Sequence, residues 1–301
     1  MDTFTEDSLP SLSTCTLAAL ELFADQGLPQ VKIPDYHKPV IVGSGNAKTT
    51  ASILYAGTNA IFADENNYQQ ALDQKPDGAV IFSASGEKHA TLVANYYHSH
   101  HLNTTLLTCN PHSSAGKIIG PQNTIVTAKN REPYTYNTST YMGWILAKTR
   151  ENPSDILDFI HHQVSPYIPS DIGNYQGYLL VTPELFANGN RLFDVKFTEL
   201  FARRVARDIR TFEELKHAVT VIPFDQEICI QFGSQHADFV GHQLSVPLPD
   251  NFGFAAIMAV GYYTIGRIQE TKPQWFQQNI ANYIKQASST SFGHGLSVIV
   301  K

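Results

Sequence analysis

The dominant pattern in the chain is a series of short, unbroken apolar runs that end in small or hydroxyl residues. Pro39-Val40-Ile41-Val42 runs into Gly43-Ser44-Gly45, and Gly78-Ala79-Val80-Ile81-Phe82 runs into Ser83-Ala84-Ser85-Gly86. Runs without alternation mark strands buried on both faces, as in parallel sheets covered by helices. Segments of helical period fill the gaps. The pattern predicts helices over 14–26, 48–55, 68–72, 88–98 and 136–147, with strands at 40–42, 60–63, 79–82, 105–109 and 124–126. The first helix has Leu17, Leu20 and Leu22 as apolar positions and Gly27 as its stop.

The second half repeats this grammar with fewer elements. It predicts strands at 177–181, 218–223, 227–232 and 244–248, helices over 193–207 and 211–219, and a mostly apolar helix over 252–267. Strands alternating with helices across short loops define an α/β protein with parallel sheets. Charge, Asn and Pro concentrate at 150–154, which sets the expected division into domains 1–150 and 151–301.

Composition narrows the function. The chain has 301 residues and a formal net charge of −6, which argues against nucleic acid as the main partner. Cys15, Cys109 and Cys229 are odd in number and far apart. They supply neither a disulfide framework nor metal-ligand spacing, and they fit a reducing cytoplasm. The acidic start reads as no signal peptide, and no apolar run has the length of a membrane span. The histidines at 98, 100 and 101 lack a second ligand pair at helical spacing, so no metal is expected. The apolar 252–267 segment and Trp275-Phe276 lead to the expectation of a homodimer.

Candidate chemistry sits at the ends of the apolar runs. Ser83-Ala84-Ser85-Gly86-Glu87-Lys88 places two hydroxyls and free amides ahead of a helix, which favours an anion such as phosphate. An N-capping serine on an ordinary strand–helix connection is the alternative. Gly43-Ser44-Gly45 is a similar junction. A dinucleotide fingerprint would need a third glycine near Ala47 or Lys48, and none is there. Glu132 to Tyr141 packs five hydroxyls, an amide and an acid into ten residues. Such density suits a polyhydroxyl ligand, or else a capped helix start. Glu199 and His217, on consecutive predicted helices, are the types needed for proton transfer beside a carbonyl. Surface groups on two helices would look the same.

Together these pieces resemble the sugar isomerase (SIS) family, in its two-domain phosphosugar isomerases and the isomerase half of glucosamine-6-phosphate synthase. Ser83-Ala84-Ser85-Gly86-Glu87 is similar to that family's phosphate loop, and Gly43-Ser44 to its first-strand turn. Ala63-Asp64-Glu65 is similar to its acid segment, and Glu132–Tyr141 to the stretch carrying its sugar-contacting serine, with Asn137 at that position. Lys196-Phe197-Thr198-Glu199 resembles its Lys-x-x-Glu, and Glu214-Leu215-Lys216-His217 its Glu-Leu-Lys-His. Lys88 stands in place of the loop's threonine. Asn282 or Tyr283 stands where the family carries a C-terminal lysine.

The resemblance implies two SIS-type three-layer αβα domains of flavodoxin-like topology, the second shortened. It implies a phosphosugar or aminosugar-phosphate isomerase without a cofactor. Phosphate would meet Ser44, Ser83, Ser85, Gly86 and Lys88, and the sugar would meet Glu132, Thr135 and Asn137. Glu199 would move a proton between C1 and C2 through an enediol or enolamine, and His217 would open the ring. Deglycation or deamination by the same groups, and a sugar-phosphate-binding regulatory protein without turnover, are the alternatives.

Overall fold

The computed structural model describes residues 3–218, 224–233, 239–290 and 295–300. In chain order the elements are α1 (Leu12–Gln26), β1 (Pro39–Gly43), α2 (Asn46–Leu54), β2 (Ile61–Ala63), β3 (Gly78–Phe82), α3 (His89–Ser99), β4 (Thr104–Thr108), α4 (Ser114–Ile119), β5 (Thr124–Val126), β6 (Glu132–Pro133) and α5 (Thr138–Thr149). There follow α6 (Pro153–Phe159), β7 (Gly177–Thr182), α7 (Asn190–Phe201), β8 (Ala206–Thr211), α8 (Phe212–Ala218), β9 (Glu227–Phe232), β10 (His242–Val246), α9 (Phe254–Thr271), α10 (Trp275–Ala287) and β11 (Ile299–Val300).

The elements form two compact units, and the units are not contiguous in sequence. One contains residues 28–129 and 143–150. Its five strands run parallel in the order β2-β1-β3-β4-β5. This is the flavodoxin-like order, in which β1 and β3 flank the point where the winding reverses. β1, β3 and β4 are buried along their whole length, as their unbroken apolar runs require.

The other unit contains residues 1–27, 130–142 and 151–301. Its sheet is β8-β7-β9-β10, again all parallel. That order matches β2-β1-β3-β4 of the first sheet without a fifth strand, so the second half is the shortened one. Residues 1–27 fall in this unit because α1 packs on α9 and α6. The antiparallel β6–β11 pair ties residues 132–133 to the C-terminal end of the chain.

The structure departs from the sequence reading in four places. The helix expected over 68–72 is a 3-10 turn at Gln70–Gln74. The helix expected over 193–207 ends at Phe201, where Ala202 takes a left-handed backbone (φ 53°), and β8 follows. β8 lies at a sheet edge and carries Arg207, Asp208 and Arg210, so it lacks the apolar run that reveals a strand. The helices α4, α6 and α10 were not anticipated. Finally, α9 is buried within the chain, packed against α1 and α7. The apolar surface thought to call for a second copy is therefore already covered. The strand expected at 218–223 lies outside the described residues.

Candidate functional site

The first set of residues stands at the carboxyl ends of β1 and β3. Gly43 pairs with Phe82, so Ser44 and Ser83 leave the sheet from adjoining strands at the winding reversal. A Cβ at Gly43 would lie 2.8 Å from the Lys48 amide nitrogen, so only glycine lets α2 begin this close to the strand. Ser83 Oγ accepts from the Gly86 amide at 3.1 Å, and Ser85 Oγ accepts from the Glu87 amide at 3.3 Å. Each hydroxyl thus uses a lone pair to shape the loop and keeps its proton to donate to a ligand. Gly86 has φ +63° and lies against Ser113, where a Cβ would come within 2.4 Å of Ser113 Cβ. Any side chain there would deform the loop. Ser85 and Lys88 are exposed, and Lys88 leads into α3.

The sequence reading missed the groups that brace this loop. Thr108 Oγ1 donates to the Ala84 carbonyl at 3.1 Å, and Asn110 Nδ2 donates to the Ser85 carbonyl at 3.0 Å. The Glu87 carboxylate accepts from the Ser114 amide at 2.9 Å, at the start of α4. The hydroxyls and amide following β4 were the available signal, because β4 adjoins β3. Ser44 donates to Glu65 Oε2 at 2.5 Å, and Lys48 pairs with Asp64 at 2.6 Å. These acids end β2 and give the first set a mixed charge.

The second set lies in the other unit. Lys196 is wholly buried on α7 and donates three hydrogen bonds. They go to Thr135 O at 2.7 Å, Tyr136 O at 2.9 Å and Glu199 Oε2 at 2.7 Å. The structure therefore brings Thr135 and Glu199 together through one ammonium. Thr135 (φ 76°) and Asn137 (φ 45°) both take left-handed backbones, which is strained for residues with a Cβ. Glu132 is buried, and its oxygens accept from the Thr138 amide at 2.6 Å, the Ser139 amide at 2.8 Å and the Ser139 hydroxyl. Its carboxylate is thus committed to the start of α5. Burial pushes the Glu199 carboxyl above its ordinary range, against the attraction of Lys196. Its side chain keeps 20% exposure, enough to meet a ligand. Thr135 Oγ1, Thr138 Oγ1 and Tyr262 Oη are buried without hydrogen-bond partners. His217 is exposed on the last turn of α8.

No family model matches the chain, and no curated protein matches it. Solved structures do. The chain is similar to glucosamine-6-phosphate deaminase from Thermotoga maritima, with TM-score 0.59 and 12% identity over 86% of this chain and 91% of that one. It is similar to the C-terminal domain of glucosamine-fructose-6-phosphate aminotransferase from Francisella tularensis, with TM-score 0.58 and 11% identity over 89% and 95%. It is also similar to tagatose-6-phosphate ketose/aldose isomerase from Escherichia coli, with TM-score 0.57 and 13% identity over 88% and 90%. The chain has the SIS-type fold these proteins share.

Proposed function

We propose that the protein processes a sugar phosphate by moving a proton next to a carbonyl, with aldose–ketose isomerisation as the leading form. One observation carries the reading. The Ser83–Gly86 loop, with its hydroxyls turned into free donors, stands at the winding reversal of a flavodoxin-like sheet, where open α/β sheets bind ligands. Ser83, Ser85, Lys88 and the loop amides hold the phosphate, with Ser44 at the adjoining strand end. Thr135 and Asn137 meet sugar hydroxyls. Glu199, its carboxyl raised by burial, is the base that carries the proton, and His217 assists ring opening. The neighbours' printed activities belong to the same chemistry, which supports the class without choosing among isomerase, deaminase and deglycase. The free cysteines fit a reducing cytoplasm.

Asn282 and Tyr283, where the resembling family carries lysine, favour a second reading as a sugar-phosphate-binding regulatory protein. Solvent deuterium exchange separates the two. Hexose, hexosamine and pentose phosphates are screened by thermal shift, and the binders are incubated in heavy water. Exchange at C1 or C2, abolished in Glu199→Gln with binding retained, is the enzyme's result. Binding without exchange is the regulator's. Ser83→Ala with Ser85→Ala is expected to weaken binding by about 2 kcal/mol, roughly 30-fold, at about 1 kcal/mol or more for each charge-assisted bond. Unchanged affinity, or a panel in which nothing binds, removes the reading.

A further inference from the structure

Removing a proton from a carbon beside a carbonyl leaves an oxyanion, and the oxyanion needs a hydrogen-bond donor. This inference rests on the assignment of Glu199 as the base. Lys196, the nearest cation, is saturated. An ammonium has three N–H donors, and those of Lys196 go to Thr135 O, Tyr136 O and Glu199 Oε2. Tyr262, whose ring lies 5.6 Å from Lys196 Nζ, is fully buried.

Tyr134 remains. Its side chain is half-buried, and its backbone is held on both sides. The Tyr134 amide donates to Val298 O at 2.6 Å, and the next carbonyl, that of Thr135, is fixed by Lys196. The strained backbones at Thr135 and Asn137 follow directly, and strain of this kind persists where surrounding structure enforces it. The same ammonium that orients Glu199 therefore also orients the turn bearing Tyr134. Burial raises the Tyr134 phenol above its ordinary range, and the nearby Tyr283 and Glu199 add to the shift. The hydroxyl therefore keeps its proton at neutral pH and stays a donor.

We propose that the Tyr134 hydroxyl touches the substrate and donates the hydrogen bond that stabilises the oxyanion formed when Glu199 removes the carbon-bound proton. The C–H bond breaks and its proton goes to the Glu199 carboxylate. The electron pair forms the carbon–carbon double bond, and the carbonyl π pair moves to oxygen. Tyr134 donates to that oxygen without giving up its proton. Return of the proton, or of solvent deuterium, from Glu199 reverses the step.

The test follows loss of the carbon-bound proton by NMR in heavy water with fructose 6-phosphate, tagatose 6-phosphate and ribulose 5-phosphate. Wild type is expected to exchange at least one of them. Tyr134→Phe is expected to lower kcat for exchange about 100-fold with KM within about threefold, the signature of a donor used in the transition state. Replacing Tyr134 with 3-fluorotyrosine, a more acidic phenol of nearly the same shape, is expected to move the alkaline limb of the rate profile to lower pH. That shift would not follow from a packing role, and it decides the matter if the phenylalanine variant folds poorly. Exchange in wild type with an unaffected phenylalanine variant or an unmoved alkaline limb overturns the role of Tyr134 and leaves Glu199 as the base. If wild type exchanges none of the three, the function proposed above fails and the role of Tyr134 fails with it.

Discussion

Each unit sets a lysine against a carboxylate at nearly the same distance, and the two acids respond in opposite directions. Lys48 and Asp64 meet at 2.6 Å with side chains 39% and 23% exposed. Lys196 and Glu199 meet at 2.7 Å with 0% and 20%. The Lys48 hydrogen bond, helped by the Asn66 amide, lowers the Asp64 carboxyl below its ordinary range. Glu199 is raised, because loss of water outweighs the same kind of partner. Contact length therefore says little about what a pair does, and solvent decides. Asp64 is fixed as an anion. Glu199 is poised to take and return a proton.

The comparison breaks most visibly at Lys196. Lys196→Met is expected to destabilise the fold by about 3–5 kcal/mol, the usual cost of removing one partner of a buried pair. It strips the donor from Thr135 O, Tyr136 O and Glu199 at once. Urea denaturation measures it, and a loss below about 1 kcal/mol would show that the pair behaves as a surface pair. Glu132→Gln comes next, at about 1.5–3 kcal/mol, the range for hydrogen bonds to a charged group. The amide keeps the shape but cannot accept from the Thr138 and Ser139 amides with both ends. A neutral result in the same titration would mean that the start of α5 does not depend on the Glu132 charge.

The first unit was the more legible in sequence, for a physical reason. Its central strands are buried on both faces, so Val40–Val42 and Ala79–Phe82 stand out as apolar runs, and the Ser83–Gly86 loop follows one directly. In the second unit β8 is an edge strand with arginine and aspartate, and no period betrays it. Glu199 and Lys196 were visible as a motif, but their roles depend on carbonyls some 60 residues away in the chain (|i−j| of 61 and 60), which no local pattern encodes. Glu132 illustrates the same limit. An acid ahead of Thr and Ser looks like a ligand group, and only the fold reveals it as the acceptor at the head of α5.

The smallest expected effect belongs to the exposed pair, and it sharpens the contrast through its pH dependence. Lys48→Met is expected to cost at most about 1 kcal/mol at pH 7, since Lys48 is more than a third exposed and water screens the attraction. The sign follows from the lowered Asp64 carboxyl. A carboxyl whose folded pKa is depressed contributes stability that is present above its ordinary value of 3.8 and is lost as pH falls through the lower, folded value. The difference between wild type and Lys48→Met should therefore hold at neutral pH and vanish once Asp64 is protonated in both states. Salt should shrink it as well, because an exposed pair is screened and the buried one is not. Denaturation of both lysine variants at pH 7, with and without added salt, makes the comparison directly. A Lys48 effect as large and as salt-resistant as that of Lys196 would overturn the claim that exposure separates the two pairs.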